Sequence, residues 1–163
     1  MENWKRFLSE GLEFKGVLKY SLGKAPPLAG VDQDAIQNKA QRDGESNYHI
    51  TIIDSKEARE IMKKIKQDEG LSNKLAKDRL KKIFANAEAD LNKAKFSQGT
   101  VNSVEGPGDG SVGVKDQPSK AFYIPVAWPD AQKLRDQFDL GPKDFHITVG
   151  IGENGDVHGV EKK

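Results

Sequence analysis

Residues 142–150 read Pro142-Lys143-Asp144-Phe145-His146-Ile147-Thr148-Val149-Gly150, and residues 48–52 read Tyr48-His49-Ile50-Thr51-Ile52. Both stretches hold the tripeptide His-Ile-Thr, preceded by an aromatic residue and followed by an aliphatic one. Side chains alternate across a β-strand, so a histidine and a threonine two positions apart share one face. Tyr48, Ile50 and Ile52 fall on the other face, as do Phe145, Ile147 and Val149. Each stretch therefore predicts a strand with an apolar side for packing and a side bearing an imidazole and a hydroxyl. Gly150 is expected to keep the second polar face open. The chain has three histidines and three threonines (Thr51, Thr100, Thr148), and two of each lie in this repeat.

The order of elements around the tripeptides also repeats. Residues 14–20 predict a strand weakened by Gly16, residues 22–30 a loop holding Pro26 and Pro27, residues 31–42 a short helix, and residues 47–53 a strand. In the second half, residues 121–128 predict a strand, Pro129 opens a helix to Phe138, Gly141-Pro142 ends it, and residues 144–151 form the last strand. Two helices lie between the halves. Asp54 with Glu57 makes a capping-box start, followed by an apolar stripe of Ala58, Ile61, Met62 and Ile65. Gly70 stops that helix and Ser72 caps the next, whose stripe is Ala76, Leu80, Ile83, Phe84, Ala87 and Leu91. Residues 99–120 are glycine-rich and predict a long loop, with a hairpin turning at Gly108-Asp109-Gly110 as the alternative, and the glycine string there is a candidate flexible lid. Trp4, Phe7, Leu8 and Leu12 have helical spacing and predict a short amphipathic opening segment that packs on its own domain.

The 163 residues carry 26 Lys and Arg against 25 Asp and Glu, a net charge of +1 that excludes a polybasic nucleic-acid binder but not a small cationic cleft. The absence of cysteine excludes disulfide scaffolds, thiol nucleophiles and zinc ribbons. No apolar run approaches the roughly 18–20 residues of a membrane span, and the N-terminus lacks a secretory apolar stretch. The expectation is one domain over residues 1–163, with lobes over about 12–96 and 97–160, acting as a monomer away from membranes in the cytoplasm or nucleus. Its fold class is α+β: two pseudo-symmetric antiparallel-sheet lobes with outer helices and a central cleft carrying both His-x-Thr motifs.

Two imidazoles and two hydroxyls facing one cleft suit phosphodiester chemistry without a cofactor or metal. An imidazole titrates near pH 6.5, so one can act as base and the other as acid. Threonine hydroxyls can donate to the non-bridging oxygens, where charge grows in the transition state. The catalytic candidates are therefore His49, Thr51, His146 and Thr148.

On these motifs the chain resembles the two-histidine (2H) phosphoesterase superfamily, which includes 2′–5′ RNA ligase-like and cyclic phosphodiesterase enzymes. The likeness runs from about Phe14 to Val160. Residues 142–150 with Asp156-Val157-His158 resemble its small RNA-repair-like branch. The resemblance implies opening of a 2′,3′-cyclic phosphate at an RNA end or on a nucleotide. Cleavage of a cyclic oligonucleotide messenger, or nucleotide binding without turnover, are the alternatives. Tyr48, Tyr123, Lys120 and Lys143 are candidate substrate contacts, with Tyr123 a candidate for stacking on a base; Arg42 and Lys115 also flank the motif strands. His158 reads as a surface residue or loop anchor, with substrate contact the alternative. Gly108-x-Gly110-x-x-Gly113 and Gly150-x-Gly152-x-x-Gly155 match the dinucleotide fingerprint as strings, but neither sits in a βαβ unit.

Overall fold

A computed structural model describes residues 11–93 and 96–163. Its elements, in chain order, are β1 (Gly11–Phe14), β2 (Leu18–Ser21), α1 (Gln33–Asp43), β3 (His49–Ile53), α2 (Ser55–Glu69), α3 (Asn73–Lys93), β4 (Ser97–Gln98), β5 (Asn102–Pro107), β6 (Pro118–Ala127), α4 (Pro129–Asp136) and β7 (His146–Ile151). The fold is α+β, with an antiparallel sheet in the order β1-β2-β3-β7-β6-β4 and β5 also paired to β6. The repeat read from the sequence is present: β2-α1-β3 and β6-α4-β7 each end on a His-Ile-Thr strand, and those two strands are neighbours.

Local chemistry explains most of the helices. Asp54 and Glu57 form the reciprocal capping box, Glu57 N–H donating to Asp54 Oδ1 at 2.9 Å and Asp54 N–H to Glu57 Oε1 at 3.1 Å. Gly70 ends α2 in the left-handed conformation (φ 65°), and Ser72 Oγ accepts from Leu75 N–H at 3.3 Å to start α3. Pro129 occupies the first turn of α4. The core lies on the apolar side of the motif strands, where Ile50, Ile52, Ile147 and Val149 are fully buried with Leu18, Leu80, Phe84 and Leu134 around them. Each such side chain contributes about 1.5–3 kcal/mol on burial.

Four local expectations change. The strand expected over residues 14–20 is a hairpin, β1 paired to β2, because Gly16 takes φ 81° and turns the chain. Leu12 lies in β1 rather than in a helix; Trp4, Phe7 and Leu8 lie outside the described residues. The segment 99–120 is the hairpin rather than one long loop: β5 pairs with the first half of β6, and the connection between them spans 108–117. Nor is that connection a free flap. Asp109 N–H donates to Asp156 O at 2.7 Å, Gly110 N–H to Asn154 O at 3.0 Å, and Val114 N–H to Asn154 Oδ1 at 3.0 Å. The two glycine strings thus pack on each other: a Cβ on Gly113 would collide with the carbonyl of Glu153.

Candidate active site

The site is set by one register. Ile50 pairs with Ile147 across the antiparallel junction of β3 and β7, so the tripeptides lie side by side in opposite directions. His49 then stands opposite Thr148, and Thr51 opposite His146, all four on the side away from the buried isoleucines. The two histidines are diagonal neighbours, about 7–8 Å apart at the backbone. A pseudo-twofold axis through the isoleucine pair exchanges the two motifs.

Both histidines are half-buried. Burial lowers the His49 imidazole to about 4; Lys19, Lys39 and Arg42 act in the same direction and Asp43 against it. Its Nδ1 is buried with no hydrogen-bond partner among the described residues. Burial also lowers His146, opposed by the carbonyl of Asp144, which lies 3.0 Å from Nδ1. A carbonyl only accepts, so Nδ1 of His146 carries the proton and Nε2 is left to exchange one.

Helix α1 walls one end. Gly150 lies two residues beyond Thr148 on the same side of β7, and a Cβ there would sit 2.8 Å from Val31 Cγ1 and 3.0 Å from Ala35 Cβ. The glycine therefore lets α1 cross the strand and does not leave the face open. The far end of α1 brings charge to the site. Lys39, nearly fully buried, donates to Asn47 O at 2.6 Å and lies 3.3 Å from Asp43. Arg42 donates two bonds of 2.8 Å to Asp43 and reaches Asp156 at 3.5 Å, and Lys162 meets Asp156 at 3.2 Å.

The expected substrate contacts are distributed differently from the motif residues. Tyr123 faces the site, paired with Thr148 and edge-on to His146 at 6.0 Å between ring centroids. It is only 2% exposed and its hydroxyl donates to Lys163 O at 3.1 Å, so its ring supports His146 and offers no free face to a base. Tyr48, just before β3, is buried under the Lys39 ammonium, 4.0 Å from its ring centre. Lys120 extends over Phe122 beside the start of α1, and Lys143 lies 3.8 Å from Asp54. Of these three, Lys143 lies close enough to His146 for its charge to help lower that imidazole, while Lys120 sits beyond Gly150, level with Gly152. Lys115 stands in the connection stitched to the turn after β7, and His158 anchors it through Asp116 at 3.0 Å.

Three features escaped sequence reasoning. Lys19 pairs with Thr51 across β2 and β3, a register hidden while residues 14–20 read as one strand. The Asp43–Arg42–Asp156–Lys162 chain joins residues distant in sequence and left no local signal. Arg135, buried at 3% exposure, donates to Ile52 O at 2.8 Å, to Gly141 O at 2.8 and 3.0 Å, and to both Glu57 oxygens at 2.8 Å. It ties the chain just after Thr51 to the chain leading into His146, and holds the Glu57 carboxyl below its usual range.

Paired His-x-Thr strands meeting at a pseudo-twofold axis define a two-histidine phosphoesterase site. The family model described as Swiss Army Knife, 2H phosphoesterase domain, matches residues 15–158, and the chain belongs to that family. The protein is accordingly a phosphoesterase. Neither a curated protein nor a solved structure matches the chain. Among the described residues, no helix is long and apolar enough to cross a membrane.

Proposed function

We propose that the protein is a phosphodiesterase that opens 2′,3′-cyclic phosphates at RNA ends or on nucleotides, using His49 and His146 as base and acid. The observation that carries this reading is the Ile50–Ile147 register, which sets the two imidazoles diagonally across the β3–β7 junction on one face, with a threonine beside each. Water attacks phosphorus opposite a ribose oxygen. The neutral imidazole takes the water proton, and the imidazolium gives its proton to that ribose oxygen as its bond to phosphorus breaks. The product is a phosphomonoester with a free hydroxyl. Thr51 and Thr148 donate to the non-bridging oxygens. Each turnover leaves the two histidines with exchanged protonation, and solvent resets them.

His49 is the base in this scheme. Burial and its cationic neighbours keep it neutral; burial lowers His146 as well, but there the Asp144 carbonyl offsets part of the effect, which makes His146 the acid in this scheme. The test is a product profile, read by mass, over 2′,3′-cyclic mononucleotides, RNA ending in a cyclic phosphate, and cyclic dinucleotides. Phosphomonoester products from the first two support the reading. Activity confined to cyclic dinucleotides, or binding without turnover, overturns it.

A further inference from the structure

The axis that exchanges the motifs fails at the strands flanking them. Outward from Thr51 stands Lys19 on β2; outward from Thr148, at the equivalent place on β6, stands Tyr123. Opposite His49 is Ser21, and opposite His146 is Pro125. The second half is closed by an aromatic ring whose hydroxyl is already bonded to the chain. The first half presents an ammonium.

That ammonium is uncommitted. Lys39 is held by Asn47 and Asp43, Arg42 by Asp43 and Asp156, Lys143 by Asp54, and Lys162 by Asp156. Lys19 makes no hydrogen bond or ion pair among the described residues. Its neighbour on β1, Glu13, instead accepts the Ser21 hydroxyl at 3.0 Å. Directly opposed residues on antiparallel strands have Cβ atoms about 4.5–5.5 Å apart, so the Lys19 stem runs beside Thr51 and its charge can share one oxygen with that hydroxyl.

We propose that Lys19 is the charged phosphate ligand of this site, binding a non-bridging oxygen of the reacting phosphodiester together with Thr51. This deepens the phosphodiesterase reading and rests on it. A phosphodiester brings one negative charge, and the two threonines are neutral donors. A flexible ammonium supplies the countercharge without imposing the planar fork of an arginine. Because Tyr123 offers no charge at the mirrored position, the two ends of the cleft are inequivalent and the substrate enters in one direction. The same ammonium faces His49 along with Asp43, Lys39 and Arg42 on α1, and keeps that imidazole in the neutral form a base requires.

The experiment compares wild type, Lys19→Met and Lys19→Arg, with inorganic phosphate as the binding probe and His49 followed by imidazole NMR. Lys19→Met should weaken phosphate binding about 10–100-fold, as expected for loss of a charge-assisted bond, while Lys19→Arg retains most of it. The His49 titration should move to higher pH in Lys19→Met and stay in place in Lys19→Arg. Equal phosphate affinity in all three proteins, or equal loss in both variants, overturns the assignment. A wild type that binds phosphate through Lys19 but turns over no cyclic phosphate would overturn the substrate reading alone.

Discussion

Ile50 and Ile147 face each other across the β3–β7 junction, both fully buried, and they fix the positions of all four motif side chains. A slip of one residue would turn both imidazoles into the core and expose two isoleucines. Packing energy thus enforces the geometry of the candidate site, in which His49 and His146 stand on one face.

Replacing either histidine with alanine should lower kcat/KM by about 10²–10⁴. The double variant should lose little more than the worse single one, because a base without its acid partner completes no turnover. Steady-state rates on the substrate found by the product profile check this. Additive losses would mean that the two histidines act independently.

Removing one threonine hydroxyl tests the non-bridging contacts. Thr51→Val and Thr148→Val keep the β-branched shape a strand prefers and should cost roughly 10²-fold or less in kcat, below a fully dry oxyanion site. Serine at either position should recover most of that rate. Equal rates for Val and Ser variants would assign the hydroxyls to strand shape alone.

Gly150→Ala places a methyl group against Val31 and Ala35 and should destabilise the fold by about 1–3 kcal/mol. It should also slow catalysis, because α1 carries Lys39, Arg42 and Asp43 toward His49. Gly141→Ala, where a Cβ meets nothing within 4 Å, is the control and should leave both stability and rate nearly unchanged. Denaturant midpoints and rates read the two effects separately.

Arg135→Met leaves Glu57 without its cationic partner and two backbone carbonyls without their Arg135 donor, and should cost about 3–5 kcal/mol. Adding Glu57→Gln should recover part of the loss, since the abandoned charge is then removed. Urea unfolding of the single and double variants decides it.

Stability should fall as the solution is acidified from about pH 6.5 toward pH 4. His49 binds a proton at about 4 when folded but near 6.5 when unfolded, so the unfolded chain takes up more protons across that window. Its contribution is complete above 6.5 and lost as pH falls toward the folded value. His146, lowered by burial, adds in the same direction, while the lowered carboxyls of Asp43 and Glu57 act at more acidic pH. His49→Gln should flatten the upper part of the curve, read as the melting midpoint against pH; an unchanged slope would show that His49 is not held neutral by the fold.

The sequence alone determined the features that depend on local periodicity. The two-residue repeat of a strand put His49 with Thr51 and His146 with Thr148, and set the isoleucines on the apolar side. Helical spacing and the Asp54–Glu57 pair located α2, and Gly70 and Ser72 marked its boundary with α3. The tertiary structure alone decided which strands became neighbours, and therefore that His49 stands beside Thr148 and Lys19 beside Thr51. It also decided that α1 covers Gly150, that the glycine strings interlock, and that Arg135 reaches Ile52 and Glu57. These contacts join residues far apart in the chain, so no local period encodes them. Buried isoleucines and backbone hydrogen bonds select one register among many, and the position of every charge in the site follows from that choice.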